Sequence, residues 1–126
     1  MSTLAVGTIK SISSAAPVFL NSDGIEKGQL AKAWIKFNAN NMTIQASFNV
    51  SSITDGETGK YDINFASEFS DANYAFTSMC SNDNKGLAIG SDTQVALTNK
   101  LRVIVSDLLS NNQAQDSSQF AVVIFR

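Results

Sequence analysis

The stretch MTIQASFNV, residues 42–50, alternates apolar and polar side chains without a break. Met42, Ile44, Ala46, Phe48 and Val50 point one way; Thr43, Gln45, Ser47 and Asn49 point the other. A period of two over this length predicts a half-buried antiparallel strand, because a helix scatters the same residues around its circumference. The even-numbered side chains are expected in the core and the odd-numbered ones in solvent.

The flanks extend the pattern. Upstream, Lys32–Phe37 reads as a strand with Ala33, Ile35 and Phe37 on one face and Lys32, Trp34 and Lys36 on the other, turning through Asn38-Ala39-Asn40-Asn41. Downstream, Asp55-Gly56-Glu57-Thr58-Gly59 is a turn whose glycines suit positive φ, and Tyr61, Ile63 and Phe65 then alternate with Asp62 and Asn64. Tyr74–Cys80, Thr93–Leu97, Lys100–Ser106 and Phe120–Phe125 are further strands, with Asn82–Gly86 a turn and Thr98-Asn99 the tip of a hairpin. Asp107–Asp116 has room for one helical turn. About seven short strands with turn chemistry between them predict an all-β fold, a small antiparallel β-sandwich of jelly-roll-like kind. Residues 1–30 are expected to be an extended N-terminal arm with one or two short strands. They hold the only proline, Pro17, the apolar triplet Val18-Phe19-Leu20 and the turn signal Asn21-Ser22-Asp23-Gly24. The sandwich domain is 31–126.

Composition narrows the function. The 126 residues fit one folded domain with a core of its own. The net charge is −2 with no basic cluster, so nucleic-acid binding by counterion release has nothing to work with. There is no histidine, which removes the commonest general base and metal ligand and excludes a Ser-His-Asp or Cys-His arrangement. Cys80 is the single cysteine, so no internal disulfide forms. No run is long enough to span a membrane and the N-terminus lacks a secretory pattern, so the expectation is synthesis in a cytoplasm with no membrane insertion.

Residues 31–65, AKAWIKFNANNMTIQASFNVSSITDGETGKYDINF, resemble a small domain of tail-fibre and related virion proteins of marine tailed bacteriophages, of the cyanophage and pelagiphage type. The similar elements are Lys32-Ala33-Trp34 with Phe37, the phrase from Asn49 through Gly59 to Phe65, and Asp71-Ala72-Asn73-Tyr74-Ala75. The opening Ser2–Val6 and the close Ile124-Phe125-Arg126 carry the likeness nearly end to end. The resemblance implies a virion structural protein made in the host cytoplasm. It would be a homotrimeric tail-fibre or receptor-binding subunit, with the arm holding other virion proteins and outer loops facing a host glycan or receptor. It implies no catalytic, cofactor or metal residue. The loops Asp55–Gly59, Asn82–Asp92 and Leu109–Ser118 are the candidate contact surfaces. A capsid-decoration or head-fibre protein and a stand-alone carbohydrate-binding module are the alternatives.

The residues give few competing sites. Trp34 between two lysines is either a sugar-stacking platform or a side chain packed in a core or subunit interface, and packing is the expected role. Asp55, Glu57, Asp62, Glu68 and Asp71 offer carboxylates for glycoside hydrolysis, but nothing in the sequence pairs them, and acids in turns usually bond their own backbone. Ser81–Gly86 is a plain turn rather than a calcium loop, with Lys85 set to repel an ion. Asn41-Met42-Thr43 and Asn49-Val50-Ser51 match the glycosylation pattern and carry no weight without a secretory route. Phe120, Val122 and Ile124 oppose Val123 and Phe125, and Leu101, Val103 and Val105 oppose Ile104. A sandwich buries one face of each sheet. The second apolar faces therefore predict a cover, and a subunit is the expected one.

Overall fold

The computed structural model describes residues 3, 5–8, 18–81, 96–107 and 113–126. Among them every regular element is a strand, and the chain forms two compact units, Met1–Leu30 and Ala31–Arg126. In the first unit, β1 (Val18–Leu20) pairs antiparallel with β2 (Glu26–Gln29). The turn between them is built by Asn21, whose Oδ1 accepts from the backbone N–H of Asp23 at 3.1 Å and of Ile25 at 2.8 Å, with Gly24 at φ 74°.

The second unit is an antiparallel sandwich. One sheet orders β4 (Thr43–Phe48), β3 (Ala33–Asn38), β11 (Gln119–Phe125) and β7 (Ala75–Ser81). The other orders β5 (Val50–Glu57), β6 (Lys60–Phe65) and β8 (Lys100–Ile104). A two-residue pair, β9 (Ser106–Asp107) with β10 (Gln113–Ala114), takes up the ends of the stretch with room for a helical turn, whose middle, 108–112, lies outside the described residues. Between the sheets lie Ala33, Ile35 and Phe37 of β3, Phe120, Val122 and Ile124 of β11, Tyr61, Ile63 and Phe65 of β6, and Leu101 and Val103 of β8. Phe37 meets Tyr61 edge-on at 5.5 Å and Phe120 at 5.1 Å, an arrangement that aromatic quadrupoles favour. A second cluster of Phe65, Phe69 and Tyr74 packs with centroids 4.6 to 5.9 Å apart.

The stretch at 42–50 is where the structure departs from the alternation. It is not one strand with one buried face. β4 pairs Phe37 with Ile44 but Lys36 with Ala46 and Trp34 with Phe48, so Gln45 is an extra residue, a β-bulge. Each residue shares a face with its cross-strand partner. Ile44 therefore turns toward the core with Phe37, while Ala46 and Phe48 turn outward with Lys36 and Trp34. Phe48 is 54% exposed, contrary to its expected burial. The stretch then ends at Asn49, whose φ of 53° breaks the extended chain, and Val50 begins a strand of the other sheet. Asn49 fixes this crossing with its side chain. Its Nδ2 donates to the carbonyls of Lys32 at 3.1 Å and Ser67 at 3.2 Å, and its Oδ1 accepts from the Ser67 N–H at 2.7 Å.

Candidate functional site

The two sheets turn different surfaces outward. On the three-stranded sheet the outward rows are Ser52, Asn64 and Lys100, then Thr54, Asp62 and Arg102. These side chains satisfy one another. Asn64 Nδ2 donates to Ser52 Oγ at 3.0 Å and Thr54 Oγ1 at 2.9 Å. Arg102 Nε and Nη2 reach the Asp62 carboxylate at 2.6 and 3.0 Å, and Lys100 Nζ at 2.8 Å. The Arg102 hydrogen bonds, reinforced by Lys100, hold the Asp62 carboxyl below the usual carboxylate range against the opposing effect of burial.

On the four-stranded sheet the outward rows are Phe48, Trp34, Val123 and Thr77, then Ala46, Lys36, Ala121 and Met79, with Phe125 and Ala75 beyond. Lys36 is the only charge in the first two rows. Met79 is 75% exposed, Phe125 40% and Trp34 38%. Trp34 is therefore not a core residue, and the ring beside it on the same face is Phe48. The alternation of β3 identified the face of Trp34, but nothing in the sequence marked Met79 or Phe48 as its neighbours there. That placement depends on strand order and on the bulge at Gln45.

A third surface lies at one end of the sandwich. Asp55, Gly56, Glu57 and Thr58 border a shallow hollow with Asp116, bringing the expected contact loop Asp55–Gly59 beside part of Leu109–Ser118. Tyr61 donates its hydroxyl to Asp116 Oδ1, which also accepts from the Gly59 N–H at 2.8 Å. Burial and then the Asp116 carboxylate raise the Tyr61 phenol well above its usual range. Glu57 pairs with Lys60 at 2.7 Å. The loop Asn82–Asp92, the turn Ser81–Gly86, the strand Thr93–Leu97 up to Val95, and 108–112 lie outside the described residues.

The remaining candidates separate. Asp62 is engaged on the outer face of the three-stranded sheet. Asp71 is held by Arg126, whose Nε reaches it at 3.0 Å and keeps its carboxyl below the usual range. Glu68 is exposed. Asn49 spends its side chain inside the fold. Among the described residues no group of three or more His, Cys, Asp or Glu side chains is placed to hold a metal ion. Among the described residues no helix is long and apolar enough to cross a membrane. No family model, curated protein or solved structure matches the chain.

Proposed function

We propose that this chain is a structural subunit of a bacteriophage virion, of the tail-fibre or receptor-binding type, working through its surfaces and not through catalysis. The observation that carries the reading is the contrast between the outer faces. One is polar and internally satisfied, as a solvent-facing sheet should be. The other carries, across its two central rows, apolar side chains with a single lysine, and Trp34, Phe48 and Met79 among them are each more than a third exposed, a patch of the kind that marks interaction sites. The phage context comes from the resemblance of residues 31–65 and 71–75, and so does the proposed homotrimer. The arm 1–30 is assigned to attachment: its side chains Phe19, Leu20 and Ile25 are each at least half exposed, apolar surface suited to a neighbouring virion protein. The end bearing Asp55–Thr58 and Asp116 is then the host-facing contact, where weak single contacts add through several copies.

The test is mass spectrometry of purified particles with antibody labelling by electron microscopy. Label at the tail is expected. Label on the head supports a decoration or head-fibre role instead, and absence from particles that are abundant in the same lysate overturns the reading. A glycan-binding module is favoured by one observation, the exposed Trp34. Its neighbours Phe48, Val123 and Lys36 offer few groups to bond sugar hydroxyls, and a glycan array with the isolated chain decides it.

A further inference from the structure

We infer that the outer face of the four-stranded sheet is where copies of this chain pack on one another, half-sheet against half-sheet, about a rotation axis running along the strands. The inference rests on reading the chain as a structural subunit, and it names the partner as a further copy of the same chain. The argument is the order of side chains within each row. Across β4, β3, β11 and β7, one row runs Phe48, Trp34, Val123, Thr77 and the next runs Ala46, Lys36, Ala121, Met79. A rotation about an axis parallel to the strands keeps each row at its own height. It brings the β4–β3 half of one copy against the β11–β7 half of the next. Phe48 then faces Thr77, Trp34 faces Val123, Lys36 faces Ala121 and Ala46 faces Met79. Every pair sets a large side chain against a small one, the condition for interdigitated packing.

The alternative in-plane axis, across the strands, interchanges the two rows. It sets Phe48 against Ala46 and Met79 against Thr77, but at the centre of the face it sets Trp34 against Lys36 and Val123 against Ala121, large on large beside small on small, and leaves crowding and a gap there. Charge points the same way. With the axis along the strands, Lys36 lies over Ala121, its stem on apolar surface and its ammonium free to reach the rim. Taking full burial of such side chains as about 200 Å² each, Trp34, Phe48, Met79 and Phe125 leave on the order of 400 Å² uncovered. That is about half of what each partner buries in a standard interface, and the small residues and the lysine stem between them extend it.

The experiment uses the full chain with Cys80→Ala as background. The double variant Phe48→Cys with Thr77→Cys should form intermolecular disulfides on mild oxidation, giving covalent multimers on a non-reducing gel. Each single-cysteine variant should stay at the chain mass, because neither position faces its own counterpart in the next copy. Trp34→Glu should reduce the mass by light scattering to that of one 13.5 kDa chain with the far-ultraviolet circular dichroism unchanged. A wild-type chain that is monomeric at tens of micromolar overturns the inference. So does a Phe48→Cys single variant that cross-links as well as the pair. A mass of two or three chains supports it, since both ring sizes oppose the same halves. Three chains also agrees with the proposed trimer, whereas two counts against the trimer alone. Absence of the protein from particles bears on the virion role and leaves this contact standing.

Discussion

Asn49 is the residue at which the chain passes from one sheet to the other, and its replacement gives a sharp test of the architecture. Three side-chain hydrogen bonds hold it, to Lys32, to Ser67 and from Ser67, and its φ is 53°. Hydrogen bonds of this kind contribute about 1 kcal/mol each, less where water replaces them, and the two to Ser67 are exposed. Asn49→Gly keeps the backbone geometry and loses the bonds, so it should destabilise by about 2 kcal/mol. Asn49→Ala loses the same bonds and also places a Cβ in the left-handed region, which adds about 1 kcal/mol. The two variants should therefore rank wild type, Gly, Ala, with the last near 3 kcal/mol, a large part of a typical domain's stability. Urea denaturation followed by far-ultraviolet circular dichroism measures this, provided the slope m is unchanged. Alanine and glycine variants of equal stability would refute the left-handed geometry. Losses below about 0.5 kcal/mol in both would show that the side chain does not tie the sheets together.

Phe37→Ala, which empties a fully buried position between Tyr61 and Phe120, should cost about 3–5 kcal/mol, whereas Phe48→Ala at submicromolar concentration should cost roughly 1 kcal/mol; equal losses in denaturant titrations would mean that Gln45 is not bulged. The chain has two tyrosines, and both are buried, with Tyr74 raised to about 12 chiefly by burial and Tyr61 higher still. Because these folded values lie above the unfolded value of 10.0, their stabilisation is present below pH 10 and is lost as pH rises through the folded values. Phenolate absorbance near 295 nm should thus stay absent at pH 10–11 in the native protein, and its appearance there without unfolding would contradict the packing. Asp62 is shifted the other way, chiefly by the Arg102 hydrogen bonds. Its contribution should hold above its ordinary value of 3.8 and fade as pH falls through the lower folded value, so Asp62→Asn should flatten the acid limb of a stability–pH curve.

The inward faces of the central strands β3, β6 and β11, and of the edge strand β8, were legible in the sequence, because alternation that no bulge interrupts survives from chain to fold. Ala33, Ile35 and Phe37 and then Phe120, Val122 and Ile124 are buried as their spacing requires. The bulged edges β4 and β5 were not legible. At 42–50 the sequence alternates perfectly, yet one inserted residue reverses the sense of the alternation halfway along. A bulge leaves no mark in a period-two pattern, since Gln45 is as polar as any outward-facing residue. Val50–Glu57 was read only as a turn at its far end. Its face toward solvent is Ser52 and Thr54, and its two irregular steps at Ser51 and Gly56 hide the period. The face bearing Trp34 was predicted from β3 alone, but its continuity across Phe48, Val123 and Met79 depends on strand order, which periodicity does not encode.

Gly59 sits at φ 70° where three parts of the chain meet. Its carbonyl accepts from the Val105 N–H at 2.7 Å, its N–H donates to Asp116, and a Cβ there would lie 2.5 Å from the Val105 oxygen and 2.7 Å from the Gln115 nitrogen. The tip of the β5–β6 hairpin is therefore clamped through Gly59 while the side chains of Asp55, Glu57 and Thr58 beside it stand in solvent. Side chains that are free to vary on a backbone that is not separate two things that selection acts on. Side chains can be exchanged at Asp55, Glu57 and Thr58 without touching the clamp at Gly59, whereas Gly56 is held close to the Lys60 carbonyl. Should this end of the sandwich meet a changing counterpart, its chemistry can be rewritten at those three positions while the backbone that aims them stays the same.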